Sequence, residues 1–406
     1  MADRTVEQHL AAVLAVARPL PPAALPLGAA VGLVAAANVV CLVDLPGFDN
    51  SAMDGYAVRA ADLLGATPNT PVRLPVVADL AAGDAPARPV GPGEAARIMT
   101  GAMVPDGADT IVKVEDTDAG MPVVAVFVET PLGSSIRRRG EDLPVGGPVL
   151  ASGTVLTARH VGLLAASGHA TVTVHPRPRV AVVSTGAELI TPGKPLQPGQ
   201  IHDSNSYLLA ALVEAAGGHT AYRGSIGDHP DEVRALLDRL ATEVDVIVTT
   251  GGVSMGVHDV VKAVLRERGE VDFVTVAMQP GKPQGFGVLG ERRVPFFGLP
   301  GNPVSAFVSF EAFVRPLLRR LLGLEPALAP TTRVRLTAAL RSPAGRMQFA
   351  RATVSRDPHD GRWLATPVAG QGSHFVADLA AADALLLVPA EVTHLQVGDE
   401  VESILL

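Results

Sequence analysis

The sequence predicts a multidomain α/β protein. It reads as a doubly wound α/β domain, an N-terminal helical domain with a β insert, and a small C-terminal β-barrel domain. Three observations lead there. From Val180 onward, short apolar runs alternate with helical patterns, the rhythm of a sheet with helices on both faces. From Val72 to Leu150 the apolar runs are short and punctuated by Gly and Pro, the pattern of a compact β domain. At 406 residues the chain exceeds one core, with room for about three or four domains.

Taken in order, Thr5 to Val16 reads as an amphipathic helix capped by Thr5, with Val6, Leu10, Val13 and Leu14 on one stripe. A second helix is expected over 28–37, leading into a strand at Val39 to Val43. The β insert then occupies 44–148, and the helical domain resumes over 149–175, completing residues 1–43. Pro176-Arg177-Pro178-Arg179 is a linker. The doubly wound domain covers 176–326, with strands at Val180–Ser184, Thr220–Ser225, Val244–Val248, Val271–Val276 and Val294–Phe297. Its helices fall at about 206–216, 230–241, 259–268 and 304–322. Residues 327–406 form the barrel.

Composition narrows the functional classes. The net charge of -8 argues against nucleic acid as the main partner. From Pro19 to Val43 there is no charged residue, but Pro19, Pro21, Pro22, Pro26 and Gly28 interrupt the stretch. A spanning helix needs about 20 apolar residues in one helix, so no membrane association is expected. Asp3, Arg4 and Glu7 precede any apolar run, unlike a signal peptide. The single cysteine, Cys41, rules out an internal disulfide framework and reads as a small buried hydrophobe in a cytoplasmic protein.

In a doubly wound sheet, ligands bind beyond the carboxyl ends of the strands. The residues just past each strand are therefore informative. After the first come Ser184, Thr185, Gly186 and Glu188; after the second, Asp228. After the third come Thr249-Thr250-Gly251-Gly252, then Ser254, Gly256 and Asp259. After the last come Pro300, Gly301, Asn302 and Ser305. Glycines let backbone approach a phosphate closely. Neither G-x-G-x-x-G nor G-x-x-x-x-G-K-[ST] is present, so the dinucleotide and Walker mechanisms lack support. A helix cap accounts for any one of Glu188, Asp228 and Asp259. Three carboxylates on one edge beside glycine-rich turns point to Mg²⁺ held against phosphate oxygens. His202, His229 and His258 lack zinc-ligand spacing, and pairing Ser254 with His258 as a triad rests on coincidence. Arg137, Arg138 and Arg139 read as a solvated hairpin edge.

The motifs PGFDNSAMDGYAV, RIMTGA, IRRRGED, VVSTGAEL, IHDSN, TTGGVSMG–HD, PGKP, GLPGNPVS and QGSH occur in that order over essentially the whole chain. In this the sequence resembles the molybdopterin molybdenumtransferase family, the MoeA proteins and the gephyrin E domain. The resemblance implies an elongated homodimer of four-domain subunits. It implies Mg²⁺-dependent transfer of molybdate onto adenylylated molybdopterin with release of AMP, and a molybdopterin adenylyltransferase as partner. The family's catalytic acids fall on Asp54, Glu188, Asp228 and Asp259, with Thr100 and Asp142 as further active-site positions. In the family the β insert of one subunit faces the doubly wound domain of the other. The molybdate positions fall on Lys282, Ser305, Arg351 and Ser373, with Gln279 at the rim. Here the sequence departs from the pattern: the family's Lys-Pro-Gly-Lys is Gln279-Pro280-Gly281-Lys282, a neutral amide in place of one cation. Two other readings stay open: a dimeric scaffold of the gephyrin E-domain type, and a molybdopterin adenylyltransferase.

Overall fold

The computed structural model describes residues 3–227, 229–252 and 260–406. The chain forms two compact units, one of Ala24–Val31 with Ala37–Val172, the other of Met1–Ala23, Gly32–Ala36 and Thr173–Leu406. Helix α1, Val6–Val16, opens the larger unit. Thr5 and Gln8 form a reciprocal cap: each side-chain oxygen accepts the other's backbone N–H, at 3.2 and 3.0 Å.

The smaller unit is built on a five-stranded sheet. Its strands are β1 (Gly55–Val58), β2 (Val72–Leu80), β3 (Ala95–Ile98), β4 (Thr110–Lys113) and β5 (Val123–Val126). They lie in the order β4-β1-β3-β2-β5. Tyr56, Val58, Leu74, Val112 and Val124 fill one face, and Ala57, Ile98 and Ile111 fill the other. Gly55 is required: a Cβ there would stand 1.9 Å from the Val112 carbonyl oxygen. Helix α2, Ala158–Ala166, follows Thr157.

One expected element does not form. Over 28–37 there is a single 3₁₀ turn, Leu27–Ala29, and then Val34–Ala35 pairs with Val174 and His175 as a strand. Gly32 takes φ +82°, outside the helical region. With two glycines in ten residues, strand pairing wins over helix propensity. The strand expected at Val39 to Val43 shortens to Val39–Val40, paired with Pro148 and Leu150.

The larger unit carries a six-stranded sheet: β6 (Arg179–Thr185), β7 (His219–Ile226), β8 (Val246–Thr250), β9 (Val271–Thr275), β10 (Pro283–Leu289) and β11 (Val294–Leu299). The order is β7-β6-β8-β11-β10-β9. β7, β6, β8 and β11 run parallel. β10 runs antiparallel to both its neighbours and is not expected from the sequence, so the strict βα alternation fails there. β10 reads Pro-Gln-Gly-Phe-Gly-Val-Leu, and glycines usually argue against a strand. A Cβ on Gly287 would lie 2.0 Å from the Glu270 carbonyl, so the strand is crowded where it lacks side chains.

Both sheet faces are apolar, as a two-sided cover demands. Val180, Val182, Val246 and Val248 pack with Leu209 and Val213 of α3, Asn205–Ala215. Ala181, Val183 and Ile247 pack with α4, Pro230–Glu243, and α5, Val260–Arg268. Each fully buried Leu or Val of these layers contributes roughly 1.5–3 kcal/mol. The long helix expected after β11 is three pieces: α6 (Pro303–Ser309), a π-helical turn Phe310–Val314, and α7 (Arg315–Leu321). In the turn Glu311 holds Arg315 through two bonds of 2.6 and 2.7 Å.

The C-terminal region is a closed five-stranded barrel: β12 (Thr332–Leu336), β13 (Met347–Arg356), β14 (Trp363–Pro367), β15 (Ala384–Val388) and β16 (Glu400–Leu405). The ring runs β13-β14-β12-β16-β15 and closes when β15 pairs with β13. Closure removes sheet edges. The N-terminal end of β13, Met347 and Gln348, pairs outward with Met278 and Gln279.

Candidate functional site

A cavity of about 810 Å³ opens at the carboxyl ends of β6, β8 and β11. Ser184, Thr185, Gly186 and Glu188 form one wall, Thr250, Gly251 and Gly252 a second, and Pro300, Gly301, Asn302 and Ser305 a third. These are sequence-predicted positions, brought together from three strand ends. Ser254, Gly256, Asp228 and Asp259 lie outside the described residues.

The glycines shape these walls. Gly251 takes φ +85°, and a Cβ would lie 2.7 Å from the Thr185 carbonyl. A Cβ on Gly301 would meet Gly251 Cα at 3.5 Å, so the two turns lie against each other. A Cβ on Gly186 would fall 2.5 Å from the Glu188 carboxylate, which folds back over the turn. Backbone is thus bared where a phosphate-bearing ligand would need N–H donors.

Asp203, Asn205 and His374 also line the wall and are not among the sequence-predicted site positions. Asp203 is buried; its Oδ2 accepts from the Ser184 hydroxyl at 2.6 Å and its Oδ1 from the Ser206 N–H at 3.0 Å. Asn205 donates from Nδ2 to Thr250 Oγ1 at 3.0 Å and to the Gly301 carbonyl at 2.7 Å. The Thr250 hydroxyl in turn donates to the Pro300 carbonyl at 3.1 Å, so one chain of bonds ties α3 to the second and third walls. His374 reaches the cavity from the barrel region. Asp203-Ser204-Asn205 does carry a signal in the sequence, but a helix cap accounts for it there.

The oxyanion positions divide. Ser305 is in the cavity wall, and Lys282 directly precedes Pro283, which is also there. Ser373 stands one bond behind the wall: its hydroxyl accepts from Asn302 Nδ2 at 2.9 Å, and its carbonyl from the Val304 N–H at 3.1 Å. Lys282 Nζ lies 3.6 Å from Asp3, with both side chains substantially exposed. Gln279 is half-buried on the strand pair with Gln348. Arg351 differs from expectation. It is only 1% exposed, and its guanidinium donates to the carbonyls of Gly370, Gly372 and Phe375. Burial lowers its basicity. The guanidinium spends these bonds on backbone because the loop at 370–375 wraps it.

In the smaller unit the structure joins Asp54 with Thr100. Asp54 Oδ1 accepts the Thr100 backbone N–H at 2.7 Å and its hydroxyl at 2.8 Å. Those two bonds, backbone first, hold the Asp54 carboxyl below the usual aspartate range. Asp142 is exposed, its N–H bound to the Leu45 carbonyl at 3.0 Å. The three arginines before it are exposed, as the hairpin-edge reading expects, but two of them are paired. Arg138 pairs with Asp49 at 2.6 Å and Arg139 with Asp44, which fastens the 136–142 segment. Cys41 is buried, as expected. Among the described residues no helix is long and apolar enough to cross a membrane.

Comparison with known proteins adds three matches along the chain. Residues 4–168 match the MoeA N-terminal region, domains I and II; residues 181–320 match a probable molybdopterin binding domain; residues 333–406 match the MoeA C-terminal region, domain IV. The sequence is 46% identical over 405 residues to molybdopterin molybdenumtransferase 2 of Mycobacterium tuberculosis, covering 98% of each chain. It is 36% identical over 367 residues to molybdopterin molybdenumtransferase of Bacillus subtilis, covering 89% and 84%. A molybdopterin biosynthesis MoeA protein from Pyrococcus horikoshii superimposes with a TM-score of 0.84 at 34% identity, covering 100% of this chain and 99% of the other.

Proposed function

The chain belongs to the molybdopterin molybdenumtransferase (MoeA) family, and from that premise we propose that it inserts molybdate into adenylylated molybdopterin and releases AMP. The observation that carries the reading is the glycine-walled cavity at the strand ends with Ser305 in its wall and Lys282 and Ser373 next to it. The turns at 184–186, 250–252 and 300–302 take the phosphate-bearing part of the pterin substrate. Lys282, Ser305 and Ser373 take molybdate, a tetrahedral dianion that wants cationic and hydroxyl donors, with Gln279 at the rim. Arg351 stands behind Ser373.

The reaction asks for positioning and charge neutralisation more than for a covalent nucleophile. Glu188 presents a carboxylate in the cavity wall, a fitting oxygen donor for Mg²⁺ together with Asp228 and Asp259. When bound, the ion would neutralise phosphate charge. Asp54, held ionised by Thr100, and Asp142 complete the site of the second subunit in a homodimer. The finer domain division goes with this reading: 1–43 with 149–175 as an N-terminal helical domain whose α1 packs on the doubly wound domain, then 44–148, 176–326 and 327–406. So do a cytoplasmic location and delivery of substrate by a molybdopterin adenylyltransferase.

The test is incubation with adenylylated molybdopterin, Mg²⁺ and molybdate, reading AMP. AMP release that requires molybdate supports the transferase. Adenylylation of molybdopterin from ATP would favour the adenylyltransferase, and inertness in both assays the scaffold.

A further inference from the structure

The loop that carries Ser373 and His374 is gripped from one residue of the barrel, Arg351, in two independent ways. From its side chain, Arg351 donates to the carbonyls of Gly370 and Gly372, and to that of Phe375 at 2.9 Å. Its backbone is held by Gln371. Gln371 Oε1 accepts the Arg351 N–H at 3.1 Å, and Nε2 donates to the Arg351 carbonyl and to the Val368 carbonyl, both at 3.0 Å. The Gln371 amide thus continues the ladder that β14 leaves at Pro367.

The loop has little freedom to sit elsewhere. A Cβ on Gly370 would lie 2.2 Å from an Asp378 carboxylate oxygen, and one on Gly372 would lie 2.8 Å from the Phe375 ring. From this base Ser373 meets Asn302 and Val304, and the neighbouring His374 reaches the cavity. A guanidinium that is 1% exposed and wrapped by carbonyls is built to hold chain in place.

We propose that Arg351 and Gln371 are positioning residues that fix the Gly370–Phe375 loop, and that this fixed loop sets the oxyanion affinity of the site through Ser373 and His374. The proposal rests on the reading of an oxyanion pocket at Lys282, Ser305 and Ser373. It assigns Gln371 a role and makes Arg351 act through the loop. Positioning of this kind matters because a shift of about 1 Å costs as much as a hundredfold in rate.

The experiment is calorimetric titration of the full-length protein with sodium molybdate, run alongside steady-state AMP release. The variants are Gln371→Met, which keeps length and removes all three bonds, and Arg351→Lys, which keeps charge and removes the fork. Loss of these three bonds, taken at the low end of their net worth, predicts about a tenfold weaker molybdate affinity for Gln371→Met. The half-saturating adenylylated molybdopterin concentration should stay within about twofold. Arg351→Lys should be weakened at least as much, since charge alone does not span three carbonyls. Unchanged molybdate affinity in folded Gln371→Met, or full retention in Arg351→Lys, overturns the proposal. Equal loss for molybdate and pterin also overturns it, since that marks general disruption. A wild-type protein that takes up no molybdate would instead remove the oxyanion pocket itself.

Discussion

One oxygen of Asp54, Oδ1, receives both the backbone N–H and the hydroxyl of Thr100, at 2.7 and 2.8 Å. The carboxylate is exposed, so these bonds, more than burial, keep it ionised. Thr100→Val removes one of the two. The Asp54 carboxyl should then titrate at higher pH, seen in its side-chain carboxyl NMR shift. A depressed carboxyl stabilises the fold above its unfolded value and loses that contribution as pH falls through the folded one. Wild type and variant should therefore differ in their acid limb below about pH 4, and an unmoved Asp54 titration would refute the assignment.

His9 offers a second pH dependence. Its ring is 1% exposed, lies edge-on to Phe313 at 4.6 Å, and both nitrogens lack a hydrogen-bond partner. Burial first, and Arg4 second, lower its pKa from 6.5 to about 4. The unfolded chain takes a proton that the folded one refuses. Stability is complete above pH 6.5 and falls as pH drops towards 4, by about 3 kcal/mol in all. Denaturant unfolding should show His9→Leu with a much flatter profile between about pH 4.5 and 7, and equal slopes would discard the idea. Replacing an unsatisfied buried polar group with an apolar one should also leave stability at neutral pH unchanged or higher.

Lys282 shares its charge with Asp3 at 3.6 Å. Asp3→Asn should lower the molybdate concentration for half-maximal AMP release by about twofold at low ionic strength, an exposed pair being worth under about 1 kcal/mol. In molar salt the difference should vanish. Gln279→Lys should act in the same direction and more strongly, by restoring a second cation. Molybdate dependence unaltered in both proteins would place the dianion elsewhere.

The two site carboxylates belong to separate units, Asp54 beside Thr100 in one and Glu188 in the other. Asp54→Ala and Glu188→Ala proteins should each lose AMP release with little loss of melting temperature, since both carboxylates are surface groups. Mixed and allowed to exchange subunits, they should recover part of it. No recovery in verified heterodimers would mean that each subunit works alone.

Much of this arrangement is readable from residue order. β6, β8 and β11 announce themselves as apolar runs, and the turns after them supply the cavity walls. The structure that escapes such reading is set by partners distant in sequence. β10 carries Gly285 and Gly287 where its neighbours leave no space for side chains, so its pattern reads as a turn. The 28–37 segment has helix-forming alanines, yet Val34 and Ala35 find their strand partners at His175 and Val174, far along the chain. Arg351 carries the charge expected of an anion ligand, and nothing local reveals the three carbonyls that enclose it. Asn205 reads as a cap because its contacts, Thr250 and Gly301, are equally remote in sequence.

The strand pairing of Met278 and Gln279 with Met347 and Gln348 has a consequence for how the protein is made. The Gln279–Lys282 turn is bordered by Asp3, made well before it, and by barrel residues made after it. Ser373 and its anchors, Arg351 and Gln371, come later still. On a ribosome adding about 5–20 residues per second, the stretch from Ser305 to Ser373 takes roughly another three to fourteen seconds, so the oxyanion pocket is completed after the strand-end turns of the cleft are made. A nascent chain that has not yet reached Gln371 would therefore carry the strand-end turns without the anchored Ser373 loop.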